Sequence, residues 1–205
     1  MPPETLILAF DTSAAYCAAA LLCDGRIIAD ALTPMEKGQS EALLPMLEQV
    51  LLPYTWANLT AIAVGTGPGN FTGVRIAVSL ARGLTMGLNI PAIGVTRLEA
   101  LAHGLPRPIT VIEDARRGAI YLQGFGTPDE TARLLDLSDL TAACETTLAT
   151  GSAAPNPVAP AMPLTHAIAH IAASRLGTAT PRPAPFYLRG ADAAPPSDPP
   201  PTILP

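Results

Sequence analysis

Apolar residues open the chain in short runs and later fall at helical spacing. Residues 6–10 are five apolar positions closed by Asp11-Thr12-Ser13, which reads as a strand ending in a turn. A second run, 17–23, stops at Asp24-Gly25, a two-residue hairpin signal, and 26–32 follows as a third strand. Over residues 40–52, Leu43, Leu44, Leu47, Val50 and Leu51 keep helical spacing. Ser40 is placed to cap that helix, and Pro45 lies inside it, where proline bends a helix or costs about 3 kcal/mol. Strand four is 61–64, and a glycine-rich turn leads into a helix over 72–88. Strand five at 92–95 and a helix at 97–102 complete the order β-β-β-α-β-α-β-α. Three meandering strands followed by alternation predict an α/β fold, a mixed sheet with helices on both faces.

After Pro108 a similar opening recurs. Residues 109–112 read as a strand ending in Glu113-Asp114, and 119–125 as its hairpin partner across Arg116-Arg117-Gly118. This begins a second, reduced copy of the first unit. A Pro/Ala-rich loop over 153–163, a helix over 165–176 and a terminal strand or docking segment, Phe186-Tyr187-Leu188-Arg189, follow. The expected organisation is an N-terminal lobe over 1–105, a smaller lobe over 106–189 and a disordered proline-rich tail over 190–205.

Composition narrows the classes. Of 205 residues, 49% are hydrophobic and 14% charged, which excludes a wholly disordered chain. No apolar run reaches the ~18 residues of a membrane span, and no basic region precedes the first run as in a secretory signal. The three cysteines, Cys17, Cys23 and Cys144, have no CxxC spacing, so they give no zinc framework and fit a reducing cytoplasm. A net charge of -5 argues against an autonomous nucleic-acid binder, while leaving open contact with RNA through a partner.

The most informative stretch joins strand four to its helix: Val64-Gly65-Thr66-Gly67-Pro68-Gly69-Asn70-Phe71-Thr72-Gly73-Val74-Arg75. A glycine-rich loop at a helix N-terminus offers free N–H groups to an anion. The stretch lacks the Gly-Lys-Ser/Thr of a Walker A loop, and neither reading frame completes GxGxxG. A tight turn capped by Asn70 or Thr72 is the alternative. Gly67, Gly69 and Thr72 are therefore candidate phosphate contacts, together with Asp11, Thr12 and Ser13 at the end of strand one. Asp11 has its own alternative, capping the turn it begins.

Other chemistry is sparse. His166 and His170 are spaced i, i+4 without HExxH or a nearby cysteine or carboxylate, and read as ordinary histidines rather than metal ligands. Glu113 and Asp114 are neighbours on a strand and face opposite ways, a poor acid/base pair. No nucleophile–base set follows from spacing, so no catalytic residue is assigned.

Taken whole, the chain resembles the TsaB (YeaZ) family. The resemblance lies in the strand ending at Ser13, in Gln39-Ser40-Glu41 with Leu43-Leu44-Pro45-Met46-Leu47, and in Gly67 through Ile76. It continues in Ile93-Gly94-Val95-Thr96, Asp114 through Tyr121 and Tyr187-Leu188-Arg189. Gln39 stands where many relatives have histidine, and Ala119 where many have glutamate. The resemblance implies a two-lobed actin-like, ribonuclease H-like (ASKHA) fold and a non-catalytic cytoplasmic subunit. Its partners would be the catalytic paralogue TsaD and the ATPase TsaE, in a complex transferring threonylcarbamoyl to N6 of an adenosine beside the tRNA anticodon. Self-pairing is implied when TsaD is absent. ATP or ADP with magnesium at the subunit junction is an open implication, and an autonomous actin-like ATPase or phosphotransferase is the alternative. In such ATPases a carboxylate near magnesium sits where Asp11 does.

Two helices carry the interface expectation. The first is apolar over more than one stripe, more than a sheet needs. The second has small residues at i, i+4 spacing, Gly73, Ala77 and Ala81, then Gly83 and Gly87. Leu43, Leu44, Leu47, Leu51, Val78 and Ala81 are expected to meet a partner in a four-helix contact. Arg75 and Arg82 are expected at its rim.

Overall fold

The computed structural model describes residues 5–140 and 148–189. The expected tail over 190–205 and Cys144 lie outside the described residues. Two sheets are present. The first has the order β3-β2-β1-β4-β5, from β1 (Leu6–Asp11), β2 (Tyr16–Cys23), β3 (Arg26–Pro34), β4 (Ala61–Gly65) and β5 (Ala92–Val95). β1 to β3 form an antiparallel meander, and β1, β4 and β5 run parallel, as the element order predicts for a mixed sheet. Asp24 and Gly25 both take positive φ at the β2–β3 turn, the geometry that favours Asp-Gly in a two-residue hairpin.

Alternation along β1 divides the core into two layers. Leu6, Leu8 and Phe10 face α1 (Gln39–Leu51) and α2 (Phe71–Leu88). Ile7 and Ala9 face the opposite layer, with Ala167, Ile168 and Ile171 of α4 (Leu164–Arg175). α4 crosses β1, β2, β4 and β5 and packs on α3 (Arg97–Ala102). Helices therefore cover both faces. Ser40 does not cap α1: Gly38 is the N-cap, in a left-handed conformation, and the Ser40 hydroxyl donates to the Glu41 carboxylate instead. Asn70 does cap α2, its side chain accepting from the Gly73 N–H at 3.0 Å.

The second sheet has the order β8-β7-β6-β9, built from β6 (Ile109–Asp114), β7 (Ala119–Phe125), β8 (Arg133–Asp136) and β9 (Leu148–Thr150). β6 pairs antiparallel with β7 and parallel with β9, repeating the relation of β1 to β2 and β4. No helix among the described residues is long and apolar enough to cross a membrane.

Candidate functional site

The end of β1 sets the site. Asp11 is fully buried, and its Oδ2 accepts from the Ser13 N–H (3.0 Å), the Ser13 hydroxyl (2.8 Å) and the Tyr16 hydroxyl (2.7 Å). It caps the turn it begins. Oδ1 has no partner among the described residues and lies where a Cβ on Gly65 would stand, so the carboxylate is packed against β4 rather than turned to solvent. Thr12 is buried too, its hydroxyl donating to the Gly73 carbonyl at 2.6 Å.

The glycine loop closes on that turn. The Asn70 N–H donates to the Ser13 carbonyl at 2.6 Å. A Cβ on Gly69 would strike the Ser13 carbonyl, and one on Gly73 the Thr12 carbonyl. These glycines let two backbones touch. The expectation that Asp11, Thr12, Ser13, Gly67, Gly69 and Thr72 form a phosphate cradle is corrected on this point. Asp11 Oδ2 and the Thr12 and Ser13 hydroxyls are engaged within the protein, Asp11 Oδ1 is packed against Gly65, and backbone fills the room beside Gly69 and Gly73. Only Ser13 and Gly69 of the six line the neighbouring cleft. These residues do not fit a magnesium–phosphate site.

From Asp11 a chain of polar contacts crosses to the second sheet. The Tyr16 hydroxyl, which donates to Asp11, accepts from Arg97 Nη1 at 2.9 Å. Arg97 Nε donates to Glu113 Oε2 at 2.7 Å, and Glu113 Oε1 accepts from the Ser152 N–H at 2.7 Å. Burial first, then the Asp11 carboxylate, push the Tyr16 hydroxyl above its ordinary range, so it stays protonated and donating. Burial works against the Arg97 charge, and the nearby Glu113 and Asp11 carboxylates outweigh it. Glu113 and Asp114 face opposite ways: Glu113 is buried in this chain of contacts, while exposed Asp114 accepts from the Arg116 N–H at 2.7 Å.

Between the sheets lies a cleft of about 920 Å³. One wall is the Ser13–Ala14 turn with Pro68 to Phe71, and the other is the β6–β7 hairpin from Glu113 to Arg117. Arg116, Arg117 and Gly118 in that hairpin all take positive φ. The segment after α4 closes the third side. It reaches the cleft because Arg82 Nε donates to the Pro183 carbonyl (2.7 Å), the Phe186 N–H to the Thr66 carbonyl (2.8 Å) and Arg75 Nε to the Tyr187 hydroxyl (2.8 Å). Phe186 through Arg189 is therefore a docking segment, not a strand.

The interface helices need a correction. Leu43, Leu47, Leu51, Val78 and Ala81 are each 2% exposed or less and belong to the core under the first sheet. α1 lies over β2 and β3 and beside α2, so its second stripe is covered at Leu51 and open at Leu44. Arg75 and Arg82 hold the C-terminal segment on the opposite flank of α2 from Ile76 and Leu80. Of the eight expected contacts, Leu44 alone combines exposure (40%) with no such engagement. Met86 is 75% exposed, and its sulfur accepts from Arg182 Nη2 at 3.6 Å, against the C-terminal segment. A Cβ on Gly83 or Gly87 would meet nothing within 4 Å.

The histidines go separate ways. His166 approaches Asp30 of β3 at 3.3 Å, and the His170 ring stacks on His103 at 6.3 Å between centroids. Among the described residues no three metal-ligating side chains cluster.

A family model described as "TsaD: tRNA N6-adenosine threonylcarbamoyltransferase" matches residues 33–136. The tRNA threonylcarbamoyladenosine biosynthesis protein TsaB of Escherichia coli (strain K12) is 38% identical over 123 residues, 56% of this chain and 52% of that protein. TsaB of Bacillus subtilis (strain 168) is 41% identical over 123 residues, with the same shares. The chain thus spans about half the length of these curated relatives. The solved structure of YeaZ from Pseudomonas aeruginosa superposes with a TM-score of 0.72 at 26% identity, over 90% of this chain and 100% of that one. The ethanolamine utilization protein EutJ from Carboxydothermus hydrogenoformans, at TM-score 0.50 and 11% identity over 83% of this chain and 90% of that one, shares the fold alone.

Proposed function

This chain is a member of the TsaB/YeaZ family, and from that premise we propose that it serves the synthesis of tRNA threonylcarbamoyladenosine as a scaffold subunit. In this reading it works in the cytoplasm and pairs with TsaD, which carries the transfer chemistry, and the pair presents a surface to TsaE. Without TsaD it pairs with itself through the same helices.

The observation that carries the reading is the open flank of α2. Gly83 and Gly87 each cost the helix about 1 kcal/mol against alanine, and no internal packing needs their small size. A helix from another molecule can approach there to backbone distance. Leu44 supplies exposed apolar surface that such a contact would cover.

Gel filtration and pull-down with TsaD test this. Gly83→Gln and Leu44→Glu are expected to fold as the parent does, since both sites are exposed, and to abolish co-elution. Undiminished pairing in both folded variants would refute the scaffold role of this face.

A further inference from the structure

The cleft between the sheets concentrates positive charge in an acidic protein. Arg97, Arg116, Arg117 and Arg189 line it, against the carboxylates of Glu113 and Asp114. Arg97 and Glu113 neutralise one another, and Arg116 and Arg189 add positive charge to the lining beside Asp114. Arg189 is held in place, its Nη2 donating to the Ala115 and Arg116 carbonyls, while its buried Nε has no acceptor among the described residues.

At the rim stands an aromatic platform. Phe71 and Tyr187 are each 43% exposed, and their rings stack at 5.1 Å and 30°. The Arg75 guanidinium lies 3.6 Å over Phe71, and its Nε donates to the Tyr187 hydroxyl. Both rings are fixed before any ligand arrives, so stacking on them costs little side-chain entropy.

We infer that this cleft holds an unpaired nucleotide of an RNA strand, the base stacked on the Phe71–Tyr187 platform and the phosphate met by Arg116 and Arg189. A flat ring beside a cationic pocket is the chemistry by which unpaired bases are recognised. A duplex stacks its bases inside the helix and offers no face to the platform. An acidic peptide would use the arginines and leave the rings unused. The RNA itself rests on the reading given above, and the platform and charge do not.

The test is fluorescence anisotropy with a labelled RNA hairpin bearing an unpaired loop, titrated with the full chain alone and with its TsaD complex. The same stem closed as a duplex is the control. Tyr187→Leu is expected to weaken hairpin binding roughly tenfold, the scale of one lost stacking contact. Arg116→Gln is expected to weaken it and to make the salt dependence shallower by about one ion, with Arg116→Lys restoring both. Thermal melts confirm folding, and the two sites lie on different segments, so one misfolded variant leaves the other decisive. Hairpin affinity unchanged in a folded variant, equal affinity for the duplex, or binding of AMP without the hairpin would each overturn the inference. Co-elution with TsaD is scored separately: its loss counts against the scaffold reading, whereas RNA binding by the chain alone still decides this one.

Discussion

In the five-stranded sheet, β1 is buried along its whole length between α1 and α2 on one side and α3 and α4 on the other. Its counterpart β6 has the same neighbours in the same directions and a thinner cover. Ile109 and Val111 meet α3 and the C-terminal segment, while Ile112 meets Ile120 and Ala149 under half-buried Leu122, Leu135 and Leu140. One strand order thus serves two ends. The first sheet is a thick platform that fixes helix positions, and the second carries a charged hairpin over the cleft.

The contrast breaks most sharply in the core. Leu43→Ala, at a fully buried position under the first sheet, is expected to cost about 2–5 kcal/mol in urea unfolding, and Leu122→Ala about 1 kcal/mol. Equal losses would mean that the second sheet is as tightly packed as the first.

Next in size is the link between the sheets. Glu113→Gln leaves Arg97 facing a neutral amide and is expected to cost about 2–3 kcal/mol. The pair Arg97→Met with Glu113→Leu is expected to recover part of that loss, because no charge is then left without its partner. A single variant as stable as the parent would show that the two sheets hold together without this contact.

The smallest effect is set by pH. Burial, and then the charge of nearby His170, lower the His103 pKa from its ordinary 6.5, with Arg107 adding to the shift and Glu99 opposing it. The unfolded chain therefore takes up this proton before the folded one does. The contribution is complete above the unfolded value and is lost as pH falls through it toward the lower folded value. Urea midpoints at about pH 7.5 and about pH 5.5 are expected to differ less in His103→Gln than in the parent. An identical difference would rule out His103 as a source of the acid sensitivity.

The first sheet was readable because each element carries its own period: the run at Leu6, the Asp24-Gly25 turn and the helical spacing from Leu43 need no distant information. β8 and β9 have four and three residues, too few for any alternation to stand out. The apolar count on α1 says that Leu43, Leu47 and Leu51 need cover, but not whose. That depends on α2 lying beside α1, which no local pattern records. The site shows the same limit. Tyr16 and Arg97 are 81 residues apart, and Arg75 meets Tyr187 across 112. The run Phe186-Tyr187-Leu188-Arg189 stood out as a terminal strand or docking segment, whereas its dock did not.

The glycines of the β4–α2 loop have one last consequence. Because the backbone at Thr12 and Ser13 occupies the hollow that Gly69 and Gly73 leave, the loop is its own plug. The protein's own backbone sets its shape, so the start of α2 and the end of β1 are held together as one rigid corner of the fold.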